Sequence, residues 1–353
     1  MSTQKIFSAS NPENIQKAAE ILRKGGLVAF PTETVYGLGA DAANSQAVCR
    51  IFEVKKRPAF DPLIIHVADP EEALSLWSEV PDAAKTLMER FWPGPLTLVL
   101  PRSEKVSDLV TSGLPTVAVR MPKHEAALGL IRALGKPIAA PSANLFGYTS
   151  PTSAAHVAEG LGAGLDFILD GGPCAVGVES TVLKIENGEG VILRPGGISA
   201  EELSTLISLK GDSALFFEKR ALSPMESPGQ LETHYAPWTK FILLPKSFAE
   251  FAPEFEESLK EYHSTISAPL RLGLLAFRKA PESASLESVQ VLSEKGELVE
   301  AASNLFQAMR YLDKMNLDWI LAEPVPASGI GLAILDRLQK ASGGKIAEKG
   351  FLC

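Results

Sequence analysis

The side chains able to do chemistry in this 353-residue chain gather in short polar stretches behind apolar runs. Phe30–Asp41, FPTETVYGLGAD, sets three hydroxyl side chains within five residues after the apolar run Leu27–Phe30. Loops at strand ends are where open α/β sheets place ligands; an ordinary strand-to-loop exit is the plain alternative. Lys55-Lys56-Arg57 is the densest charge run. A lysine point charge beside an arginine fork suits polyphosphate, whereas a solvated helix end also favours cations and is the better reading from charge alone. Pro58 then constrains where Arg57 points. His66 lies inside the apolar run Leu63–Val67, where a histidine is usually a hydrogen-bonded core residue. Arg120 ends the run Thr116–Arg120, placed either to clamp a carboxylate bidentately or, equally, to pair with a neighbouring helix. Pro141-Ser142-Ala143-Asn144, Ser150-Pro151-Thr152 and Gly177–Thr181 bring further hydroxyls and amides to strand termini. Each alone reads as a turn or cap; together they are harder to dismiss.

Other chemistries are excluded. Gly129–Pro137 has five residues between its first two glycines where a P-loop needs four, and Pro137 stands where the Mg²⁺-binding Ser/Thr should be. Gly37-Leu38-Gly39 and Gly329-Ile330-Gly331 lack the third glycine of a dinucleotide fingerprint. There is no nucleophile elbow, HExxH or CxxC. The residues suit positioning and charge stabilisation, not covalent catalysis.

The elements that must position these groups follow from periodicity. Asn11-Pro12 starts a helix with an Asn cap and Pro at the first position, carrying the stripe Ile15, Ala18, Ala19, Leu22, and Gly25-Gly26 ends it. Ser45 is expected to cap a helix with Val48, Ile51 and Phe52 inward, stopped by Pro58. Strands are expected at Leu27–Phe30, Leu63–Val67, Leu96–Leu100, Thr116–Arg120, Ile138–Ala140, Phe167–Asp170, Ser180–Ile185 and Val191–Arg194. Ser199–Glu202 is a capping box opening a helix to about Leu209. Strands and helices interleave, so the region is α/β. The Lys184–Val191 connection is too short for a crossover helix, which predicts a mixed sheet. Residues 211–238 read as a linker, punctuated by Ser223-Pro224, Ser227-Pro228-Gly229 and Ala236-Pro237. The α/β rhythm then restarts, with strands at Phe241–Leu244, Arg271–Phe277, Val289–Leu292 and Asp318–Leu321 and helices at Phe248–Tyr262, Glu297–Lys314 and Gly331–Ala341.

The composition, 46% hydrophobic and 22% charged, is that of a soluble globular protein. No run approaches the roughly 18 apolar residues of a membrane helix, and the opening MSTQKIFSAS lacks the apolar core of a signal peptide. Cys49, Cys174 and Cys353 fit neither a disulfide framework nor a zinc site. A cytoplasmic location is expected. Net charge is −8, with 19 basic against 23 acidic residues in 1–210 and 15 against 19 in 211–353. That balance argues against holding a long polyanion by bulk electrostatics and leaves room for a local cluster around a small anion.

In order along the chain, FPTETVYGLGADA, Lys55-x-Arg57-Pro58 with Pro62–His66, WPGPLTLVL, TVAVRMP, APSAN, SPT, DGG, GVEST and LRPG resemble the Sua5/YrdC family of L-threonylcarbamoyladenylate synthases. SPGQLETHYAP (Ser227–Pro237) and Gly329–Gly344 resemble the linker and second domain of the longer Sua5 form. The resemblance implies a twisted open mixed YrdC-like sheet as catalytic domain (1–210), a linker or lid (211–238) and a smaller Rossmann-like α/β domain (239–353). It implies the reaction of L-threonine, bicarbonate and ATP to threonylcarbamoyl-AMP and pyrophosphate, the product passing to the t⁶A transferase machinery for adenosine 37 of ANN-decoding tRNAs. By matched motif, Thr32, His66, Arg120, Ala140 and Ser180 would surround threonine, Thr34 being the alternative to Thr32. Lys55, Arg57, Asp61, Thr116, Ser142, Asn144, Ser150, Arg194 and Tyr235 would serve ATP, Lys55 and Arg57 also stabilising the leaving pyrophosphate together with Mg²⁺. An acidic Asp61 departs from the Asn or Lys common at that position in the family. Two rival functions are a double-stranded RNA-binding protein, against which the acidic balance speaks, and a carbamoyl-transfer domain acting on carbamoyl phosphate. Direct tRNA binding stays open.

Overall fold

The computed structural model describes residues 6–210, 233–266, 268–281, 283 and 285–352; the linker signals at Ser223-Pro224 and Ser227-Pro228-Gly229 lie outside them. The described residues form two compact units, 6–146 with 150–210, and 147–149 with 233–352.

The first unit runs β1 (Ile6–Ser8), α1 (Pro12–Arg23), β2 (Val28–Phe30), β3 (Gly37–Asp41), α2 (Ser45–Lys55), β4 (Ile64–His66), α3 (Pro70–Leu74), α4 (Asp82–Phe91), β5 (Leu96–Pro101), α5 (Asp108–Thr111), β6 (Thr116–Arg120), α6 (Glu125–Leu134), β7 (Ile138–Ala140), α7 (Ala154–Leu161), β8 (Phe167–Asp170), β9 (Thr181–Glu186), β10 (Glu189–Arg194) and α8 (Ala200–Ser204). The strands make one sheet in the order β1-β8-β2-β3-β7-β4-β6-β5-β9-β10. β4 lies parallel to β6 and β5 to β9, while β3–β7, β7–β4, β5–β6 and β9–β10 are antiparallel. This is the expected mixed sheet, with the short β9–β10 connection a hairpin.

Side chains alternate across the sheet. Ile65, Leu98, Val117, Val119, Ala139 and Leu183 belong to a large core that includes Ile51, Leu87, Val110 and Leu161 from the helices. On the opposite face, Ile138 and Ala140 pack with Phe30 and Leu130, while Ile64, Val99, Ala118, Val182 and Leu193 form a small apolar patch. His66 and Arg120, register partners across β4 and β6, fall two residues beyond Ile64 and Ala118 and so share the patch face.

Local physics shifted three expectations. The cap of α2 is Asn44, whose side chain accepts from Gln46 N and Ala47 N at 3.1 Å, so Ser45 is already helical. Its C-terminus is set by Lys56 in the left-handed region (φ 53°), ahead of Pro58. The Ser199–Glu202 capping box is present, but α8 stops at Ser204, not near Leu209. Gly37 and Gly39, whose glycine-rich stretch reads as a turn, are instead buried positions two apart on one face of β3. A Cβ on Gly37 would lie 3.0 Å, and on Gly39 2.9 Å, from the ring of Phe30 in β2, which pairs with β3. Their role is close approach of an aromatic ring, not chain reversal.

The second unit contains β11 (Lys240–Leu243), α9 (Phe248–Thr265), β12 (Leu272–Ala276), β13 (Ser288–Val291), α10 (Leu298–Asp313), β14 (Trp319–Ala322) and α11 (Gly331–Ala341). Its sheet, β11-β14-β12-β13, is parallel throughout, which requires crossover connections. The buried Glu323 carboxylate accepts from Phe248 N and Phe277 N, each at 2.7 Å, and fastens the start of α9 to the end of β12. Among the described residues no helix is long and apolar enough to cross a membrane.

Candidate functional site

The αL turn at Lys56 sends Lys55 and Arg57 in separate directions. Lys55 is 1% exposed, and its Nζ donates to the carbonyls of Ser142 and Asn144 just beyond β7. Burial first, and then the neighbouring Arg57, hold its pKa well below the usual lysine value. Arg57 donates to Asp61 O at 3.1 Å and Pro62 O at 2.9 Å, and its Nη2 lies 2.7 Å from the Asp61 carboxylate. The Asp61 carboxyl is pushed up by burial against the pull of Arg57, Lys55 and Arg194. Arg194 reaches this cluster from β10, where the pairing with β9 slips between Ile192 and Arg194. Such a bulge re-aims a side chain. Arg194 Nη2 donates to Ser180 O at 2.9 Å and Ser180 Oγ at 3.2 Å. Ser180 Oγ also bonds Thr97 Oγ1 at 2.8 Å, and Ser150 donates to the Glu179 carboxylate.

Arg120 anchors a second group. Its Nε donates to Gly94 O at 3.3 Å and its Nη1 to Thr34 Oγ1 at 2.9 Å, while Nη2 stands 2.8 Å from Glu33 Oε2. That last approach is an ion pair off the line of a hydrogen bond. The partner Arg120 finds is therefore a carboxylate of the loop between β2 and β3, not of a helix. Thr32 Oγ1 is tied into its own turn, accepting from Thr34 N and Val35 N at 3.2 Å and bonding Val35 O at 2.6 Å. Thr34, not Thr32, touches Arg120, and the two hydroxyls bond each other at 2.9 Å. His66, beside Phe30 at 5.8 Å with its Nδ1 3.2 Å from Ile64 O, is lowered to about 3 by burial and then by Arg120. It is a neutral imidazole.

Of the sequence-predicted residues, Lys55, Arg57, Asp61, Ser142, Asn144 and Arg194 share one electrostatic cluster, and Thr32, His66 and Arg120 another. Ser180 is bonded to Arg194. Ala140 is paired with Ile64. Thr116 starts β6, four residues before Arg120. Tyr235 belongs to the second unit: buried, at φ 62°, its ring lies 4.1 Å from His234 and 5.8 Å from Phe306, with the Arg337 guanidinium at 4.9 Å. Sequence reasoning missed Glu33, Thr97, Glu179 and Tyr36. Tyr36 Oη accepts from Gly171 N at 3.2 Å and donates to Gly172 O at 2.7 Å, so it fastens the Asp170–Gly172 turn. Burial also pushes the nearby Cys174 thiol up to about 12.

Three buried cations gather around one carboxylate, with an arginine fork on the same unit, and the class is that of a two-unit α/β protein. The family model Sua5_yciO_yrdC, described as telomere recombination, matches residues 20–196, and the Sua5 model, described as the threonylcarbamoyl-AMP synthase C-terminal domain, matches 198–343. The chain belongs to the Sua5/YrdC family. A Bacillus subtilis protein named threonylcarbamoyl-AMP synthase is 45% identical over 96% of this chain and 95% of its own length. A Pyrococcus abyssi protein of the same name is 45% identical over 95% of each. The crystal structure of P. abyssi Sua5 complexed with L-threonine superposes with a TM-score of 0.87 at 43% identity, covering 97% of this chain and 98% of that one.

Proposed function

We propose that this protein is a threonylcarbamoyl-AMP synthase, converting L-threonine, bicarbonate and ATP to threonylcarbamoyl-AMP and pyrophosphate. The observation that carries the reading is the division of buried charge on one sheet: Lys55, Arg57 and Arg194 around Asp61, and Arg120 beside Thr34 and His66. The first cluster suits a triphosphate, the second an amino acid. The names of near full-length relatives support it, as does the threonine complex of P. abyssi Sua5.

In this reading Arg120 takes the threonine carboxylate, with Thr32, Thr34, His66, Ala140 and Ser180 around the rest of the molecule. Arg57, Asp61, Thr116, Ser142, Asn144, Ser150 and Arg194 hold ATP. The threonine amine becomes a carbamate, whose oxygen attacks the α-phosphorus. Charge developing on pyrophosphate meets Lys55 and Arg57, preorganised by burial and hydrogen bonds. Holding three reactants in register lowers the barrier by about 7–11 kcal/mol where alignment is good.

Mg²⁺ belongs to this proposal. Among the described residues no group of three or more His, Cys, Asp or Glu side chains forms a metal cage, but Mg²⁺ commonly takes one or two carboxylates and completes its shell with water and phosphate oxygens. The Asp61 carboxylate, whose oxygens receive no aligned hydrogen bond from the described residues, fits that role and would hold the ion arriving with ATP. The ion supplies neutralisation of the leaving phosphates. The product would pass, in the cytoplasm, to the enzyme system that transfers the threonylcarbamoyl group to tRNA.

The test is incubation of pure protein with ATP, L-threonine and labelled bicarbonate. Threonine-dependent pyrophosphate release with label in an adenylate is expected; absence of both overturns the reading.

A further inference from the structure

We propose that the carboxylate of Glu33 receives the ammonium group of the amino-acid substrate and accepts its proton, while Arg120 holds the substrate carboxylate. This rests on the functional reading above and deepens it.

Glu33 sits between Thr32 and Thr34 in the loop after β2, with 8% of its surface exposed. A carboxylate removed from water is costly unless donors satisfy it. Yet among the described residues neither Glu33 oxygen receives an aligned hydrogen bond, and the ion pair to Arg120 Nη2 at 2.8 Å is misdirected. Arg120 is the converse: Nε and Nη1 are engaged by Gly94 O and Thr34 Oγ1, while Nη2 has no aligned acceptor among the described residues. An undersupplied carboxylate beside an undersupplied guanidinium is the complement of a zwitterion. An α-amino acid set against both satisfies each, its carboxylate on Arg120 and its ammonium on Glu33. Among the described residues the titratable groups that face Glu33 are Arg120 from β6, His124 at the cap of α6, and Cys174 beyond β8.

The chemistry requires such a group, because an ammonium nitrogen has no electron pair to give. Glu33 takes one proton from the ammonium and passes it to bicarbonate, whose C–OH bond breaks to leave water and carbon dioxide. The freed nitrogen pair forms the N–C bond, one C–O π pair becomes the carbamate anion, and a second N–H proton leaves to solvent. Glu33 ends as it began.

Glu33→Gln keeps the size and removes the charge. Calorimetry would compare L-threonine with 3-hydroxybutyrate, the same molecule without its amine. The wild type should prefer threonine by roughly ten- to a hundredfold, the worth of one charged hydrogen bond; Glu33→Gln should bind both alike. Its pyrophosphate release should rise about tenfold per pH unit toward the pKa of the threonine amine, as deprotonation passes to solvent, while the wild type stays flatter. A folded Glu33→Gln protein with wild-type preference and wild-type pH profile overturns the assignment. If that variant does not fold, Glu33→Asp, which draws the charge back by one methylene, must weaken threonine and spare 3-hydroxybutyrate; equal weakening overturns it. A wild-type chain that binds no threonine and releases no pyrophosphate overturns the functional reading itself, and this assignment with it.

Discussion

Gly196→Ala tests whether the site depends on a backbone contact outside it. Gly196 lies in the turn after β10, and a Cβ there would stand 2.3 Å from Ser180 C and Thr181 N and 2.4 Å from Glu179 O. All three are main-chain atoms, so no rotamer change relieves the clash. Since Cβ contacts essentially never fall under 3.0 Å, the entry to β9 must retreat by about 0.7 Å or more, an overpacking response. The retreat carries Ser180 and Glu179 with it. The Arg194 Nη2–Ser180 O bond, now 2.9 Å, would stretch to about 3.6 Å, beyond useful hydrogen-bond length. Overpacking of this kind costs about 1–3 kcal/mol, equivalent to a fall of about 2–12 °C in melting temperature for a unit of this size. A displacement approaching 1 Å in a reactant-positioning group costs up to about a hundredfold in rate. Thermal melts with steady-state pyrophosphate release measure both. Gly160→Ala is the control, since its Cβ meets nothing within 4 Å and alanine favours a helix interior. A Gly196→Ala protein that melts with the wild type and keeps its kcat/KM refutes the reasoning.

Three further outcomes are expected. His66 has its folded-state pKa depressed to about 3, so its contribution is present above the unfolded value near 6.5 and is lost as pH falls through that window; the wild type should lose about 2 kcal/mol at pH 5 relative to neutrality from this residue, and chemical denaturation of His66→Gln should show a flatter acid limb. Arg57→Lys removes the fork that holds Asp61 and leaves a buried carboxylate poorly paired; a loss of about 3–5 kcal/mol in denaturant melts is expected, with Arg57→Met combined with Asp61→Asn milder than Arg57→Lys alone. Tyr36→Phe deletes the hydroxyl that bridges Gly171 N and Gly172 O; about 1–3 kcal/mol should be lost, with faster amide exchange at Gly171.

What the sequence made legible was what is local. Thr116–Arg120, Ile138–Ala140, Phe167–Asp170 and Gly331–Ala341 have the bounds that periodicity implied, because each run carries its own pattern. β3 was not legible: GLGAD has the composition of a turn and is a strand because the Phe30 ring on β2 occupies the space its glycines leave. The ordered motifs point to the candidate site because nearly all of them are strand termini, and the chain order of strand termini survives in sequence. Which group meets which does not survive. The different partners of Lys55 and Arg57 depend on one left-handed residue between them. The aim of Arg194 depends on a one-residue slip in pairing. Glu33 is the sharpest case. In sequence it is one acid among 42, flanked by two threonine hydroxyls. Only burial beside Arg120, 87 positions along the chain, without an aligned donor among the described residues, separates it from a carboxylate that serves solubility. What sets the proposed binding group apart here is an unmet hydrogen-bonding need in a buried charge, and that need exists only once the chain has folded.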